Sequence, residues 1–370
     1  MTRPAPAVIR AAQSAASRMA DRNTPFIFNE WYVAAYGDEV GRELFTRTLL
    51  GREVVMYRTE AGRVVAFEDR CAHRSYPLSK GALEGDTIVC GYHGFRYDSQ
   101  GELIEVPSQP RCPKGVGVRN YPVIESGPLL WIWMGEEPAD ASRLPPHAWL
   151  TGTDWATSKG YIHLRGNYVS LHENLLDLTH LSYLHAKSFG TPDYAAAPYE
   201  VEIGTERFAL RRNVVPTMLP PVWAKPTGME GYPNAARIVR SEFLAPSIHC
   251  VSVRFYDNAL PAGSRPEFQI RTAHMPTPET HGSTHYFIVN GHDFALDQAW
   301  ITRHMHEHLF VAFNEDVVGL QALEHVLEQA DGDDDFFEIS VASDRASVEM
   351  RKYLKSRAEA EQARLAAAMA

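Results

Sequence analysis

Between residues 26 and 149 the apolar residues fall in short runs rich in aromatic and β-branched side chains, with Gly, Pro, Asn and Asp between the runs. This pattern predicts short β-strands joined by tight turns. The predicted strands are WYVAAY (31–36), EVVMYRT (53–59), RVVAFED (63–69), TIVCGYHG (87–94), FRYDSQG (95–101) and LLWIWMG (129–135). Many short strands at close spacing favour a small antiparallel sandwich or barrel, so we expect an all-β domain over residues 25–148.

The pattern changes after a charged, Pro-rich segment at 136–147, which we interpret as a domain edge. Apolar spacing predicts a helix over 167–186 and one long helix or two over 298–330, and residues 249–256 and 284–289 resemble strands. The segment 343–370 predicts a surface helix with Ser343 as its N-cap. Residues 149–370 therefore form a second domain with helices around an antiparallel sheet, and the fold class of the whole chain is α+β.

Residues 1–24 precede both predicted domains and contain Arg3, Arg10, Arg18 and many Ala and Ser residues. This composition resembles a transit peptide, but a flexible or weakly helical extension is favoured. The chain has a net charge of −10 and no dense Lys/Arg block, which argues against a nucleic-acid partner. No apolar run approaches the roughly 20 residues of a membrane-spanning helix.

Cysteine and histidine usage points to metal chemistry. Four cysteines in 370 residues do not make a disulfide scaffold, which favours a reducing, cytoplasmic compartment. The 16 histidines are more than most proteins of this size carry, and imidazole is a common ligand of transition metals.

Two Cys–His pairs form the first candidate metal site. Cys71-Ala-His73 is followed, after sixteen residues, by Cys90-Gly-Tyr-His93. Structural zinc accepts two Cys and two His, but zinc fingers place Cys with Cys and His with His. The C-x-H and C-x₂-H order favours a Rieske [2Fe–2S] cluster, in which two Cys hold one iron and two His hold the other. Zinc remains the alternative at this stage.

A second metal site is predicted in the segment that begins at Glu173. His180 and His185 lie five residues apart, which places them about 140° apart on a straight α-helix. They can hold one ion only if a π-turn or a break brings both rings to one side. Asn174 and Asp177 precede them, and the Asp177 carboxylate could orient the His180 ring.

Two histidines require a carboxylate to complete the ligand set of non-haem Fe(II) oxygenases. Asp316 is the best candidate, because an acid among Val317, Val318 and Leu320 is costly unless it is paired or bound to metal. Glu315 is the alternative. Seen alone, Asp316 could also be an acid near a helix start, stabilised there by the helix dipole.

Together these motifs resemble the oxygenase component of Rieske non-haem iron aromatic-ring oxygenases over nearly all of residues 25–360. The matching motifs are C-x-H-R-x₂-P-L-x₂-G at 71–81, C-x-Y-H-G at 90–94 and N-L-x-D-L-x-H-x₄-H at 174–185. The NEWYVAA opening (29–35), the LLWIW strand, a THYF segment (284–287) and the SDRASVEMRK tail are similar to the vanillate O-demethylase and dicamba monooxygenase group.

The resemblance implies a homotrimer that contains a [2Fe–2S] cluster and a mononuclear Fe(II), with Asp177 between the cluster of one subunit and the iron of the next. It also implies a separate NADH-dependent flavin or ferredoxin-type reductase. Dioxygen then supplies one oxygen atom to a C–H bond of a small aromatic substrate. If that bond belongs to an aryl methyl ether, the products are a phenol and formaldehyde. His274 resembles a position that holds the substrate carboxylate in the dicamba enzymes of this group.

Two alternatives remain open from the sequence. The same metal centres could catalyse ring dihydroxylation or hydroxylation of an alicyclic, steroid or N-methyl substrate. A protein of another class, a Rieske electron carrier without catalysis, would not need His180, His185 and Asp316. That carrier would contain about two irons per chain rather than three.

Overall fold

The structure, a computed structural model, describes residues 4–330 and 332–369. These residues divide into two compact units. The smaller unit contains Phe28–Pro146 and Thr277–Thr280, and the larger contains the chain up to Ile27, His147–Pro276 and the chain from His281 onward. The residues predicted as a separate extension, 1–24, thus group with the larger unit, although residues 1–3 lie outside the described part.

The smaller unit consists of short antiparallel strands, as the sequence pattern indicates. In chain order these are β1 (Trp31–Tyr36), β2 (Phe45–Leu49), β3 (Arg52–Arg58), β4 (Val64–Glu68), β5 (Ala82–Glu84), β6 (Thr87–Val89), β7 (Arg96–Tyr97), β8 (Leu103–Glu105), β9 (Val123–Ser126) and β10 (Leu129–Trp133). They form three sheets with the orders β1-β10-β9, β2-β3-β4 and β5-β6-β7-β8. A two-residue turn at Leu50 and Gly51, both with positive φ, joins β2 to β3, which is a geometry that suits a tight hairpin.

The core of the smaller unit contains the two cysteines of the first motif. Cys71 and Cys90 are buried in one apolar cluster with side chains from β3, β4, β6 and β7, among them Tyr57, Phe67 and Tyr97. The loops that follow β4 and β6 are therefore held by packing on the sheets beneath them.

A seven-stranded sheet forms the centre of the larger unit. Its strands are β11 (Ala156–Leu164), β12 (Tyr199–Ile203), β13 (Arg207–Thr217), β14 (Ala235–Leu244), β15 (Ile248–Asp257), β16 (Glu267–Thr280) and β17 (Ser283–His292). Their order is β11-β17-β16-β15-β14-β13-β12, and the pairings of β11 with β17 and from β12 through β16 are antiparallel. The expected α+β fold with an antiparallel sheet is confirmed.

In the described part of the chain, five α-helices accompany this sheet. They are α1 (Pro6–Ala16), α2 (Tyr168–Leu176), α3 (Pro221–Thr227), α4 (Ala299–Gln329) and α5 (Arg345–Met369). The segment expected as one helix or two near the C-terminus is the single helix α4. The extension predicted to be flexible or weakly helical contains the three turns of α1. No described helix combines the length and the apolar composition that crossing a membrane requires.

Two helix boundaries differ from the sequence expectation. The helix predicted over 167–186 ends at Leu176, and a single 3₁₀ turn follows at His180–Ser182. The last helix is not capped by Ser343. α5 begins at Arg345, so Asp344 rather than Ser343 directly precedes it. The Asp344 carboxylate accepts a hydrogen bond of 2.8 Å from the backbone N–H of Val341, within the 3₁₀ turn that leads into the helix.

Candidate metal centres and active site

The break after α2 brings the two histidines of the second motif together. Asp177 ends the helix with an extended backbone, and its Oδ1 accepts a hydrogen bond of 2.7 Å from the N–H of Thr179. This local bond offers the chain an alternative to further helix. The 3₁₀ turn then turns the His180 ring toward His185, so that the ring centres lie 5.1 Å apart. The break that a shared ion requires is therefore present.

Asp316, on α4, completes the group. Its Oδ1 lies 3.4 Å from Nε2 of His180 and 3.1 Å from Nε2 of His185. One donor atom from each of the three residues lies within 4.8 Å of the others. Two imidazole nitrogens and one carboxylate oxygen fit the ligand set of a mononuclear non-haem Fe(II) site. The structure thus brings together the three residues that the sequence singled out.

Glu315 takes a different position from its neighbour. Its Oε2 accepts from Nδ1 of His185 at 2.7 Å and from the hydroxyl of Ser188 at 2.7 Å. Consecutive residues on a helix point about 100° apart, so only one of the two acids can face the group. Glu315 instead contacts the far side of the His185 ring and fixes its orientation, as carboxylates behind metal-bound histidines do. From the sequence, Glu315 is predicted only as an alternative to Asp316 as the carboxylate ligand.

Asn174 and Asp177 also lie at this site. Asn174 donates from Nδ2 to Oδ1 of Asp316 at 3.2 Å, while Asp177 Oδ2 is 3.8 Å from Nδ1 of His180. Asp177 is thus placed behind the His180 ring, at a longer distance than Glu315 from His185. The other oxygen of Asp177, Oδ1, accepts the hydrogen bond from the N–H of Thr179.

The electrostatics of the group favour a positive charge at its centre. Burial alone would raise the pKa of Asp316, but hydrogen bonds to His180 and His185 hold it well below its usual value. Burial would likewise lower the pKa of His180, yet Asp177 and Asp316 raise it to about 9. A divalent cation placed among these donors would satisfy the same carboxylates and leave both imidazoles neutral.

A cavity adjoins the three residues, which form part of its wall. Its remaining wall is mostly apolar and includes Phe189, Trp223, Val239, Val251, Val253, Ile270, Leu309 and Phe313. A mostly apolar lining with a few polar side chains is typical of sites for small organic molecules. Four further polar side chains line it, those of Asn174, Arg237, Thr272 and His274.

His274 lies in the cavity wall on β16. Its Nδ1 is 2.5 Å from the hydroxyl of Tyr286, and its ring packs edge-on against Phe313. Burial lowers the pKa of His274 to about 3, so the ring is neutral at physiological pH. The position fits a substrate-contacting residue, but the ring can offer a hydrogen bond only, without a charge.

The residues of the first motif meet at the surface of the smaller unit. Cys71 and Cys90 are buried, whereas His73 and His93 are exposed and their rings lie edge to face with centres 4.6 Å apart. Matching turns shape the loops, because Ser75 donates to the carbonyl of Cys71 and Gly94 to that of Cys90, each at 3.0 Å. Two buried thiols behind two exposed imidazoles fit a [2Fe–2S] cluster with one Cys₂ iron and one His₂ iron.

Tyr97, on β7, was not identified from the sequence. Its hydroxyl lies 3.1 Å from Sγ of Cys71 and accepts from the N–H of Ala72 at 3.1 Å. Because the oxygen accepts from the backbone, the hydroxyl hydrogen is free to point at the sulfur. Nothing in the local sequence indicates this contact, because an aromatic residue in a strand usually serves only to pack the hydrophobic core.

Comparison with known proteins agrees with this geometry. Residues 30–122 match the Rieske [2Fe-2S] domain, and residues 164–360 match the vanillate O-demethylase oxygenase C-terminal domain. The iron-sulfur subunit TsaM1 of the toluene-4-sulfonate monooxygenase system of Comamonas testosteroni is 34% identical over 82% of this chain and 90% of its own length. The oxygenase component of dicamba O-demethylase from Stenotrophomonas maltophilia is 31% identical over 74% of this chain and 80% of its own.

Solved structures give the same result. Dicamba monooxygenase bound to 3,6-dichlorosalicylic acid superposes with a TM-score of 0.86 at 27% identity, covering 92% of this chain and 99% of that one. The predicted resemblance is confirmed, and the first motif lies within a Rieske domain rather than a zinc site. The chain therefore belongs to the family of Rieske oxygenases whose second domain is the vanillate O-demethylase oxygenase C-terminal domain, and it is an oxidoreductase.

Proposed function

We propose that this chain is a terminal oxygenase that uses dioxygen and electrons from a separate reductase to monooxygenate a small aromatic acid. The preferred reaction is O-demethylation of a methoxylated aromatic acid to a phenol and formaldehyde. The observation that carries the proposal is the position of His180, His185 and Asp316, which form part of the wall of a mostly apolar cavity. A metal-ligand set beside a pocket of this kind suits oxidation of a small organic substrate.

Each centre has a defined set of candidate ligands. Cys71, Cys90, His73 and His93 would hold the cluster, and His180, His185 and Asp316 the mononuclear iron. When bound, the iron supplies the oxidising chemistry and the cluster supplies electrons. The protein's own part is to position the substrate and to exclude water. In that arrangement Asn174 holds the Asp316 carboxylate, and Glu315 holds the His185 ring.

The cavity supports an aromatic substrate. Phe189, Trp223 and Phe313 present rings to the cavity, and this aromatic, mostly apolar lining suits packing against a substituted benzene ring. Relatives named for dicamba and vanillate O-demethylation act on methoxyl groups, which supports demethylation. The toluene-4-sulfonate relatives favour a second candidate, hydroxylation of an aryl methyl group. Both reactions insert one oxygen atom into a methyl C–H bond.

The names of the same relatives also indicate an electron-transfer partner. Their names describe an oxygenase component or one subunit of a monooxygenase system, which supports a separate electron donor. We take this donor to be an NADH-dependent reductase of the flavin or ferredoxin type. We further propose a homotrimer located in the cytoplasm, in which Asp177 connects His180 with His73 or His93 of a neighbouring subunit. In this role Asp177 and Asn174 serve electron transfer and ligand positioning rather than ligation.

The test is turnover with a panel of methoxybenzoates and methylbenzenesulfonates, NADH and a surrogate reductase, with assays for formaldehyde and for the hydroxymethyl product. Asp316→Ala should keep the visible spectrum of the cluster and lose both mononuclear iron and product. Formation of a cis-diol would show that the enzyme dihydroxylates the ring, and would contradict the proposed monooxygenation. Wild-type protein with only two irons per chain and no oxygen-dependent product would favour the electron-carrier alternative.

A further inference from the structure

The cavity wall contains a buried arginine that has no acidic partner. Arg237, on β14, is only 2% exposed. Its Nη1 donates to the carbonyl oxygen of Phe189 at 3.1 Å, while its buried Nε has no acceptor. Among the described residues no carboxylate lies within ion-pair distance of this guanidinium. Asp193 influences it through its charge, but the Asp193 carboxylate accepts from Thr217.

A second buried arginine of the same sheet shows what a structural role looks like. Arg212, on β13, is 1% exposed and donates to the carbonyl oxygens of Tyr194, Ala195 and Ala197 and to the hydroxyl of Thr179. The three carbonyl acceptors tie the loop after His185 to the sheet, and the Thr179 hydroxyl ties the segment before His180 to it. Arg212 does not line the cavity, and only its Nε lacks an acceptor. The two arginines are therefore similarly buried, but the Arg212 guanidinium has many more hydrogen-bond acceptors than that of Arg237.

An unpaired buried cation destabilises the fold. Burial lowers the pKa of Arg237, but a guanidinium stays protonated in proteins, so the charge persists. Aromatic faces offset part of the cost, since the guanidinium carbon lies 4.7 Å from the ring centre of Tyr194 and 5.9 Å from that of Trp223. These rings also hold the side chain in place. Donor capacity is left over, and the cavity is where an acceptor can reach it.

The strand register places Arg237 and His274 at opposite ends of an apolar stretch. Arg237 pairs with Phe255 on β15, and the next inward-facing row along the sheet is Val239, Val253 and Ile270. His274 lies two rows beyond that, opposite His249. An aromatic ring over the valines would therefore meet a cation at one end of the wall and a neutral imidazole at the other. The Arg237 end is bounded by Phe189, whose ring stacks on His185 with centres 4.7 Å apart.

We propose that Arg237 binds the anionic group of the substrate, a carboxylate or a sulfonate on an aromatic ring. A guanidinium presents paired N–H donors that match either group, and an anion there would receive both hydrogen bonds and an opposite charge in a dry site. His274 then contributes a hydrogen bond to the substrate, but as a neutral ring it does not favour anionic over uncharged substrates. The proposal rests on the proposed function for turnover, but anion binding can be measured without any turnover.

Binding is the direct test. The full chain with both metal centres loaded, kept anaerobic and without reductase, is titrated calorimetrically with 4-methylbenzoate, toluene-4-sulfonate and the uncharged 4-methylbenzamide. The wild type should bind the preferred anion at least roughly tenfold tighter than the amide. Arg237→Met should lose this preference. Arg237→Lys, which keeps a charge but not the paired donors, should retain part of it. Comparison of the two anions decides between carboxylate and sulfonate.

Stability separates this role from a structural one. Arg237→Met should unfold at a urea concentration equal to or above that of the wild type, because it removes an unpaired buried charge. Arg212→Met should be less stable, since it leaves three carbonyl groups without donors, but it should keep the preference for anions. An Arg237→Met protein that still prefers the anions, or a wild type that binds neither anion, would overturn the proposal.

Turnover then distinguishes the two proposals. If anions bind through Arg237 but no methyl group is oxidised, the oxygenase reaction is wrong and the anion site stands. If Arg237→Met and Arg237→Lys turn over methoxybenzoates with the wild-type KM, the oxygenase reaction stands and the anion site is wrong.

Discussion

Nδ1 of His185 lies 2.7 Å from Oε2 of Glu315, while Nε2 of the same ring lies 3.1 Å from Oδ1 of Asp316. Two consecutive acids on α4 thus contact the two nitrogens of one imidazole. In a neutral ring, the contact with Glu315 favours the tautomer with its hydrogen on Nδ1, which would leave the lone pair of Nε2 available to a metal ion. Ser188 donates to the same glutamate oxygen and holds it in position.

Removing this carboxylate should weaken iron binding without removing a ligand. We expect Glu315→Ala to fold and to keep the visible spectrum of the cluster, but to bind mononuclear Fe(II) roughly 10–100-fold more weakly. The affinity is measured by titrating protein depleted of mononuclear iron. Ser188→Ala, which removes only one donor to Glu315, serves as the control and should lose less. Wild-type affinity in Glu315→Ala would show that the His185 ring is held by packing alone.

Substitution of Asp177 tests the proposed electron transfer between the metal centres rather than metal ligation. Asp177→Asn can still accept from the N–H of Thr179, so the end of α2 should persist. An amide offers one acceptor and one donor where a carboxylate accepts on both oxygens. We expect about three irons per chain and a product rate lowered by at least roughly 10–100-fold. In a single-turnover mixture the reduced cluster should reoxidise slowly. Turnover at the wild-type rate would make Asp177 only a helix-ending residue.

Tyr97 should raise the reduction potential of the cluster. A hydroxyl that donates to a cysteine sulfur stabilises the extra negative charge of the reduced state, and hydrogen bonds to the sulfurs are known to set these potentials. Tyr97→Phe should therefore lower the potential, measured by redox titration of the visible spectrum. Tyr57→Phe is the matched control, because that hydroxyl is also buried in this core but donates to the carbonyl of Asp86. Equal potentials in all three proteins would exclude the effect.

Acid should destabilise the larger unit through buried histidines. Burial lowers the pKa of His172 and of His274 to about 3, and it holds that of His249 well below its usual value. In the unfolded chain these rings titrate near 6.5, so below that pH the unfolded state binds more protons and stability falls as the pH falls. For each such ring, the free energy of unfolding should fall by about 1.4 kcal/mol between about pH 8 and pH 5.5.

Urea unfolding, followed by tryptophan fluorescence at these two pH values, measures this loss. His172→Phe keeps a ring against Phe243 and should show a smaller difference between the two pH values than the wild type. His325→Phe, on an exposed position of α4, should show the wild-type difference. An unchanged difference in His172→Phe would mean that this ring is protonated in the folded state.

The sequence alone predicts the two-part organisation, the class of each part and the residues of the metal motifs. Short runs of β-branched and aromatic residues predict the strands of the smaller unit, because burial of alternate side chains is a local property of the chain. Cys71, His73, Cys90 and His93 lie close together along the chain, so their spacing already specifies a shared centre. The need for a break between His180 and His185 also follows from helix geometry alone.

Only the tertiary structure decided which distant residues act on these motifs. Asp316 and Glu315 are neighbours in the chain, and only the packing of α4 against the segment after α2 assigns one to the metal group and the other to the His185 ring. Arg237 has no sequence signal, because a strand arginine is usually exposed or paired. The role proposed for Arg237 rests on its burial in the seven-stranded sheet and on the missing acceptor for its Nε. Both depend on residues far apart in the chain, so no local sequence pattern predicts them.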